Sequence, residues 1–288
     1  MTAPAILING VPFGGGGKDA AFGPLDRGLQ YGDGLFETVK VEGGSPEFWD
    51  RHLERLAEGC ERLGLAVPES DVLAREAARL CAGNERCVLK IIVTRGAGGR
   101  GYGSPESPVP TRILSRHPWP DYAPAAWRAG VVVRVCSARL ATQPLLAGIK
   151  HLNRLEQVMA RREWDDPAIA EGLMLDTDGF VVDGTMSNLF IVAGGRLATP
   201  DLSLCGVAGV MRAVVLEAAA RLAAPAEVTR LTLDQVRAAD EVFVTNSLVG
   251  IWPVRELDGT LYRLGGLARR LAEEVEAASG RSPVFKRG

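Results

Sequence analysis

The stretch from Arg116 to Gly130 sets the first limit on the fold, because Pro118, Pro120 and Pro124 stand in it among Trp119, Tyr122 and Trp127. Proline fixes φ and removes a backbone donor, so neither a helix interior nor an interior strand is expected there. On both sides of it, strand-like and helix-like segments alternate. The reading is two domains: a small N-terminal α/β domain at 1–118, a linker at 119–129 and a larger C-terminal domain at 130–288. A chain of 288 residues is long enough for both.

Ahead of the prolines, residues 5–9, 35–41 and the β-branched run 88–94 read as strands. A helix is expected at 51–65, where Leu53, Leu56, Ala57, Cys60 and Leu63 recur at helical spacing and Gly64 supplies a stop. A second helix covers 70–81 with Ser70 as its N-cap. Beyond the prolines, strands are expected at 131–136, 172–176, 180–182, 188–192 and 241–245, with Asp178-Gly179 as a hairpin turn. Helices follow at 152–164, 210–222 and 267–278. The patch Gly14–Gly17 reads as a flexible loop.

Several function classes drop out. A formal net charge of -2 offers no general attraction to nucleic acid or to an anionic membrane. No apolar run approaches the roughly 20 residues that span a bilayer, and Met1–Gly17 lacks the basic and apolar regions of a secretion signal. Cys60, Cys81, Cys87, Cys136 and Cys205 are scattered without a Cys-x-x-Cys pair, which fits free thiols in a reduced, cytoplasmic setting. His52, His117 and His151 show no metal-ligand spacing, so neither a metal site nor a Ser-His-Asp triad is expected.

Four features remain as candidates for chemistry, each with a plain alternative. Lys150 stands between the apolar Leu145, Leu146, Ala147 and Ile149 and the start of an amphipathic helix. An apolar setting disfavours the ammonium form and makes the amine a Schiff-base nucleophile; a solvated lysine at a helix start is the other reading. Cys205-Gly206-Val207-Ala208-Gly209-Val210-Met211-Arg212 leads a glycine turn into a helix, which suits a phosphate or is an ordinary loop. Asp183, bracketed by Val181, Val182 and Met186, either ends a strand or holds a pyridinium nitrogen protonated. Arg95-Gly96-Ala97-Gly98-Gly99-Arg100-Gly101-Tyr102 is either a surface turn or a mobile substrate loop whose guanidinium groups take carboxylates.

Together these pieces resemble the fold-type IV pyridoxal-phosphate enzymes, the group of the branched-chain and D-amino-acid aminotransferases. The resemblance runs in the group's order from Asn9 to Pro253. Asp26-Arg27-Gly28-Leu29-Gln30-Tyr31-Gly32-Asp33-Gly34-Leu35-Phe36-Glu37-Thr38 is similar to its N-terminal signature. His52-Leu53-Glu54-Arg55-Leu56 is similar to the helical segment whose arginine grips the cofactor phosphate. Lys150 falls at the Schiff-base lysine, Gly206–Arg212 on the phosphate-binding turn, and Asn246-Ser247 where a small polar residue touches the phosphate.

The resemblance implies an α/β (α+β) two-domain fold with pyridoxal 5'-phosphate in the cleft, a homodimer and a small-molecule substrate. It implies Lys150, Asp183 and Thr38 as catalytic residues. Arg55, Lys150, Asp183, Val207, Gly209, Val210, Met211, Asn246 and Ser247 would then surround the cofactor. Tyr31, Lys90, Arg95, Arg100 and Arg154, the last on the lysine's own helix, would meet the substrate. Two positions depart from the pattern: Asp183 stands where glutamate is usual, and Met211 where the aminotransferases often have threonine. Arg95–Tyr102 and Gly148–Gln157 point within the group to its lyases. Transamination of branched-chain or D-amino acids is the alternative, and a non-catalytic phosphate- or ligand-binding protein a more remote one.

Overall fold

Period-two alternation through Leu35-Phe36-Glu37-Thr38-Val39-Lys40-Val41 organises the first of two units in the computed structural model. The described residues are 5–13 and 23–279, so the expectation for Gly14–Gly17 lies outside them. Leu35, Glu37, Val39 and Val41 are buried, whereas Phe36, Thr38 and Lys40 are half-buried on the opposite face. This unit carries β1 (Ala5–Ile8), β2 (Val11–Pro12), β3 (Gly34–Glu42), β4 (Ser45–Pro46), β5 (Arg86–Thr94) and β6 (Thr111–Pro118). They form one antiparallel sheet in the order β2-β1-β6-β5-β3-β4. The register sets Leu35 opposite Val93, Glu37 opposite Ile91 and Thr38 opposite Lys90. Helices α1 (Arg27–Tyr31), α2 (Trp49–Leu63) and α3 (Ser70–Cys81) complete the unit, with Leu56 and Cys60 of α2 and Leu73 and Ala77 of α3 buried. Helix α2 ends at Gly64, whose φ of 61° gives the left-handed cap. The N-cap of α3 is Glu69 with no side-chain cap bond, so Ser70 is the first helical residue and not the cap.

The second unit carries α4 (Ala125–Ala129), β7 (Val131–Leu140), α5 (Leu155–Arg161), β8 (Ile169–Asp176), β9 (Phe180–Gly184), β10 (Asn188–Ala193), β11 (Arg196–Pro200), α6 (Val210–Arg221), β12 (Ala226–Thr229), β13 (Leu231–Thr232), α7 (Leu233–Arg237), β14 (Glu241–Asn246), β15 (Gly250–Leu257), β16 (Thr260–Leu261) and α8 (Gly266–Ala278). Ten strands join in one sheet, β12-β11-β10-β14-β15-β7-β8-β9-β13, with β16 attached to β15. Its core includes Leu173, Leu189, Val242, Val244, Trp252 and Val254. Tyr122, Trp127 and Trp252 from the proline-bearing stretch and β15 meet edge-to-face at 5.1 to 6.2 Å, and the Trp127 indole N–H donates to Val249 O at 2.7 Å.

Three expectations change. The proline-bearing stretch is partly regular: its first residues finish β6 and its last form α4. The helix expected at 152–164 is only Leu155–Arg161. Lys150–Asn153 belongs to the first unit, while Asp121–Ile149 and Arg154–Ser279 form the second. Lys150 therefore precedes the helix in extended backbone: Phe36 N–H donates to Lys150 O at 3.0 Å and Leu152 N–H to Gly34 O at 2.9 Å. Arg154 is the residue before α5, not a neighbour of Lys150 on a shared helix.

Candidate active site

In the first unit several of the candidate residues gather around β3. The Lys150 Nζ stands 4.4 Å from the Phe36 ring centroid, and Lys90 Nζ from β5 stands 5.2 Å from the same centroid. Each is a cation–π contact that holds an amine near the ring. Thr38 shares this face and pairs with Lys90 across the strands.

On the other face Glu37 is almost completely buried. Its Oε1 accepts from Arg55 Nε at 2.8 Å, and its Oε2 accepts from Arg55 Nη2 and from His52 Nδ1–H at 2.6 Å. Burial pushes the Glu37 carboxyl up, but the Arg55 charge and the His52 hydrogen bond bring it down to about 2. His52 goes the other way: burial favours its neutral form over the pull of Glu37, so its pKa falls. A neutral ring with its proton on Nδ1 also suits Nε2, which is buried with no hydrogen-bond partner among the described residues. Arg55 is thus oriented by a carboxylate that sequence reading passed over. The one legible signal was an acidic residue at a core position of an apolar strand.

The glycine-rich loop differs from expectation. Arg95 is buried, and Asp33 accepts from its Nε at 2.8 Å and its Nη2 at 3.0 Å, while Leu63 O and Gly64 O take further donors at 2.8 Å. Its guanidinium closes the end of α2 and is engaged within the protein, which corrects the reading of Arg95 as a substrate contact. Asp33 also accepts from Arg27 Nε at 2.8 Å. Burial works to raise the Asp33 carboxyl; the Arg95 and Arg27 hydrogen bonds overcome it and hold it low. Arg100 remains exposed. With Tyr31, Leu25 and Gln30 it lines a cavity of about 470 Å³.

In the second unit the turn before α6 is strapped in place. Val207 N–H donates to Asp183 Oδ2 at 3.2 Å, Ala208 N–H to Gly148 O at 3.0 Å and Gly209 N–H to Asn188 Oδ1 at 3.1 Å. Asn188 Nδ2 donates to Val207 O at 2.8 Å. The amides of Val207 and Gly209 are therefore engaged by the protein, which corrects their assignment to a phosphate. The first-turn amides of α6, on Val210, Met211 and Arg212, have no intrahelical acceptor by the geometry of a helix. Asn188 was missed in the sequence; its only signal is a polar residue opening an apolar strand.

Asp183 is buried. Arg154 feels its charge: burial lowers the Arg154 pKa, and Asp183 and Glu156 oppose the fall. Buried Glu171 orders the loop after β9, accepting from Gly172 N–H, Thr185 N–H, Thr185 Oγ1–H, Met186 N–H and Ser187 Oγ–H at 2.5 to 3.2 Å. Asn246 is turned to structure, since Nδ2 donates to Met186 O and Oδ1 accepts from Leu248 and Val249 N–H. That corrects its side chain as a cofactor contact and leaves half-buried Ser247 in the turn. No helix among the described residues is long and apolar enough to cross a membrane.

The sequence pattern of amino-transferase class IV proteins matches residues 34–257. The chain belongs to the amino-transferase class IV family. Aminodeoxychorismate lyase of Vibrio harveyi is 38% identical over 250 residues, covering 85% of this chain and 92% of that protein. The crystal structure of 4-amino-4-deoxychorismate lyase from Pseudomonas aeruginosa matches with a TM-score of 0.88 at 48% identity, covering 94% of this chain and 98% of the other. A branched-chain amino acid aminotransferase from T.th., solved with pyridoxamine 5'-phosphate, matches with a TM-score of 0.83 at 25% identity over 99% and 97% of the two chains. The class IV architecture of a small sheet domain and a larger barrel-like one is therefore the fold of this protein.

Proposed function

We propose that this class IV protein is a pyridoxal 5'-phosphate-dependent lyase that converts 4-amino-4-deoxychorismate to 4-aminobenzoate and pyruvate, a step of folate synthesis. The observation that carries the reading is the likeness to the P. aeruginosa lyase, much higher in identity than that to the aminotransferase.

The residues present suit the cofactor. Gly206 has a φ of +85°, and a Cβ at Gly209 would collide with Asn188 Oδ1, so the turn leading to the α6 amides admits only glycine's close approach. Arg55, the amides of Val210 and Met211, and Ser247 would hold the phosphate. Lys150 would hold the carbonyl carbon, and buried Asp183 would keep a proton on the ring nitrogen by a charge-assisted hydrogen bond. Bound in this way, the cofactor supplies an electron sink beside a substrate amine.

With the cofactor bound, the Lys150 amine would take the proton from substrate C4. The C3–O bond would then break with its electron pair leaving on oxygen, the ring would become aromatic, and the released enolate would take up a proton to give pyruvate. Phe36, its ring centroid 4.4 Å from the Lys150 Nζ, would pack beside the amine during this transfer. Thr38, on the same face of β3, is a second group for proton transfer. Tyr31, Lys90, Arg100 and Arg154 are the proposed contacts for the two substrate carboxylates.

The assembly that goes with this reading is a homodimer, supported by the exposed apolar row Leu155, Val158 and Met159 on α5. A cytoplasmic setting is supported by five buried cysteines that all remain free.

The deciding experiment incubates the protein with pyridoxal 5'-phosphate and aminodeoxychorismate and follows 4-aminobenzoate fluorescence. Borohydride reduction should fix the cofactor to Lys150, and Asp183→Asn should keep the cofactor while turnover nearly vanishes. Transfer of amino groups to 2-oxoglutarate without 4-aminobenzoate would instead establish the aminotransferase. A protein that stays colourless and traps nothing on Lys150 would leave only ligand binding.

A further inference from the structure

The segment Gly96–Gly103 has the composition of a mobile loop, yet its carbonyls converge on one buried side chain. Arg27 Nη1 donates to Gly101 O and Gly103 O, each at 3.1 Å, and Arg27 Nη2 donates to Tyr102 O at 3.0 Å. Its Nε is anchored on Asp33 at 2.8 Å. Four donor contacts thus run from a side chain with 5% exposure, three of them to consecutive residues of the loop. Lysine cannot reproduce this, because a planar fork with fixed donors is what lets one residue span three carbonyls.

The latch has an aromatic side. The Arg27 guanidinium carbon stands 5.0 Å from the Tyr31 ring centroid, and Tyr31 meets Tyr102 edge-to-face at 5.4 Å. Arg27 also packs under Gly98, where a Cβ would come within 2.9 Å of its Cδ. Gly98 and Gly101 line the same cavity as Tyr31 and Arg100. The anchoring carboxylate is shared: Asp33 holds Arg95, which closes the end of α2, so the latch is tied into the body of the first unit.

We infer that Arg27 is a positioning residue for substrate recognition: it holds the glycine-rich loop closed so that Arg100 and Tyr31 face a carboxylate of the substrate. The inference rests on the proposed lyase reading for the identity of that substrate, and goes beyond it in assigning the specificity of the loop to a residue that touches no ligand. Buried and bonded to backbone, Arg27 exchanges a disordered glycine-rich loop for a fixed one before substrate arrives, which removes an ordering cost from binding.

The experiment has two arms on the holoenzyme. In the first, trypsin cleavage after Arg100 is timed by mass spectrometry in the wild type, Arg27→Lys, Gly98→Ala and, as a control at an exposed arginine near the end of α2, Arg62→Ala. Local opening sets this rate, and both latch variants should be cut about tenfold faster than the wild type and the control. Gly98→Ala leaves the Arg27–Asp33 pair intact, so it tests the latch even where Arg27→Lys loses stability. In the second arm, KM for aminodeoxychorismate should rise about tenfold in both latch variants while kcat and the bound-cofactor spectrum hold.

Unchanged cleavage in both variants overturns the latch. Faster cleavage with unchanged KM overturns its role in substrate recognition. A wild-type protein that forms no 4-aminobenzoate overturns the lyase reading instead, and the cleavage arm still decides whether Arg27 holds the loop.

Discussion

Glu37 in the first unit and Glu171 in the second are equally buried, at 1% exposure each, and are satisfied by opposite means. Glu37 is held by charge, between the Arg55 guanidinium and the His52 ring. Glu171 is held by three backbone amides and two hydroxyls, with no cation among its hydrogen-bond donors. A charge held by charge fails abruptly when one partner goes, because the other is left ionised in a low dielectric. A charge held by many dipoles loses them one at a time and depends on the path of the backbone.

The largest expected effect tests the first half of that contrast. Arg55→Ala should cost about 3–5 kcal/mol in urea unfolding, because it strips Glu37 of its buried cation. It should also weaken cofactor retention, which Arg62→Ala should not. A cost under about 1 kcal/mol would mean that His52 and solvent suffice for Glu37.

Acid should reach the same network. His52 titrates lower in the folded protein than its ordinary 6.5, so protonation below that pH favours the unfolded chain. Glu37 falls from 4.5 to about 2, so its contribution is complete above pH 4.5 and is lost as pH drops through 2. That shift corresponds to stability on the order of 3 kcal/mol. Thermal melts from about pH 7 down to about pH 2 should show both losses, and Glu37→Gln should remove the lower one. A melt profile for Glu37→Gln that still carries the lower step would assign it elsewhere.

The third test moves to the backbone-held region. Gly209→Ala should cost about 1–3 kcal/mol by overpacking, because its methyl group meets Asn188 Oδ1. Equal melting temperatures for variant and wild type would show that the Asn188 clamp yields at little cost. The smallest effect is Ser187→Ala, which removes one of five donors from Glu171 and should cost about 1 kcal/mol. A loss as large as that of Arg55→Ala would erase the contrast between the two carboxylates.

Sequence reading succeeded where local rules decide structure. Helix α3 runs over the expected residues, and α6 and α8 each begin and end within one residue of expectation. It failed where a distant partner decides. Strand β6 was missed because Ser115, Arg116, His117 and Pro118 break its apolar pattern, although it lies between β1 and β5 in the sheet. Strand β15 was missed because Pro253 interrupts it; in the sheet Pro253 stands opposite Phe243. Arg95 and Arg100 look alike in sequence. Only the fold, by bringing Asp33 to Arg95, separates a structural arginine from an exposed one. The apolar flank of Lys150 is visible in the sequence, but the path of its backbone is not, because Gly34 and Phe36 draw it out of the helix.

That last arrangement also governs the order in which the protein is made. Chains emerge from the ribosome N-terminus first, and early units begin to fold while later ones are still being synthesised. The strand Gly34–Glu42 emerges long before Lys150 and Leu152, whose backbone bonds to Gly34 and Phe36 complete its surroundings. Closing so long a loop is slow compared with pairing neighbouring strands. The nascent first sheet therefore waits, without Lys150, until part of the second unit has been translated. A ribosome stalled before Lys150 holds β3 without the Lys150–Asn153 segment whose backbone bonds to it.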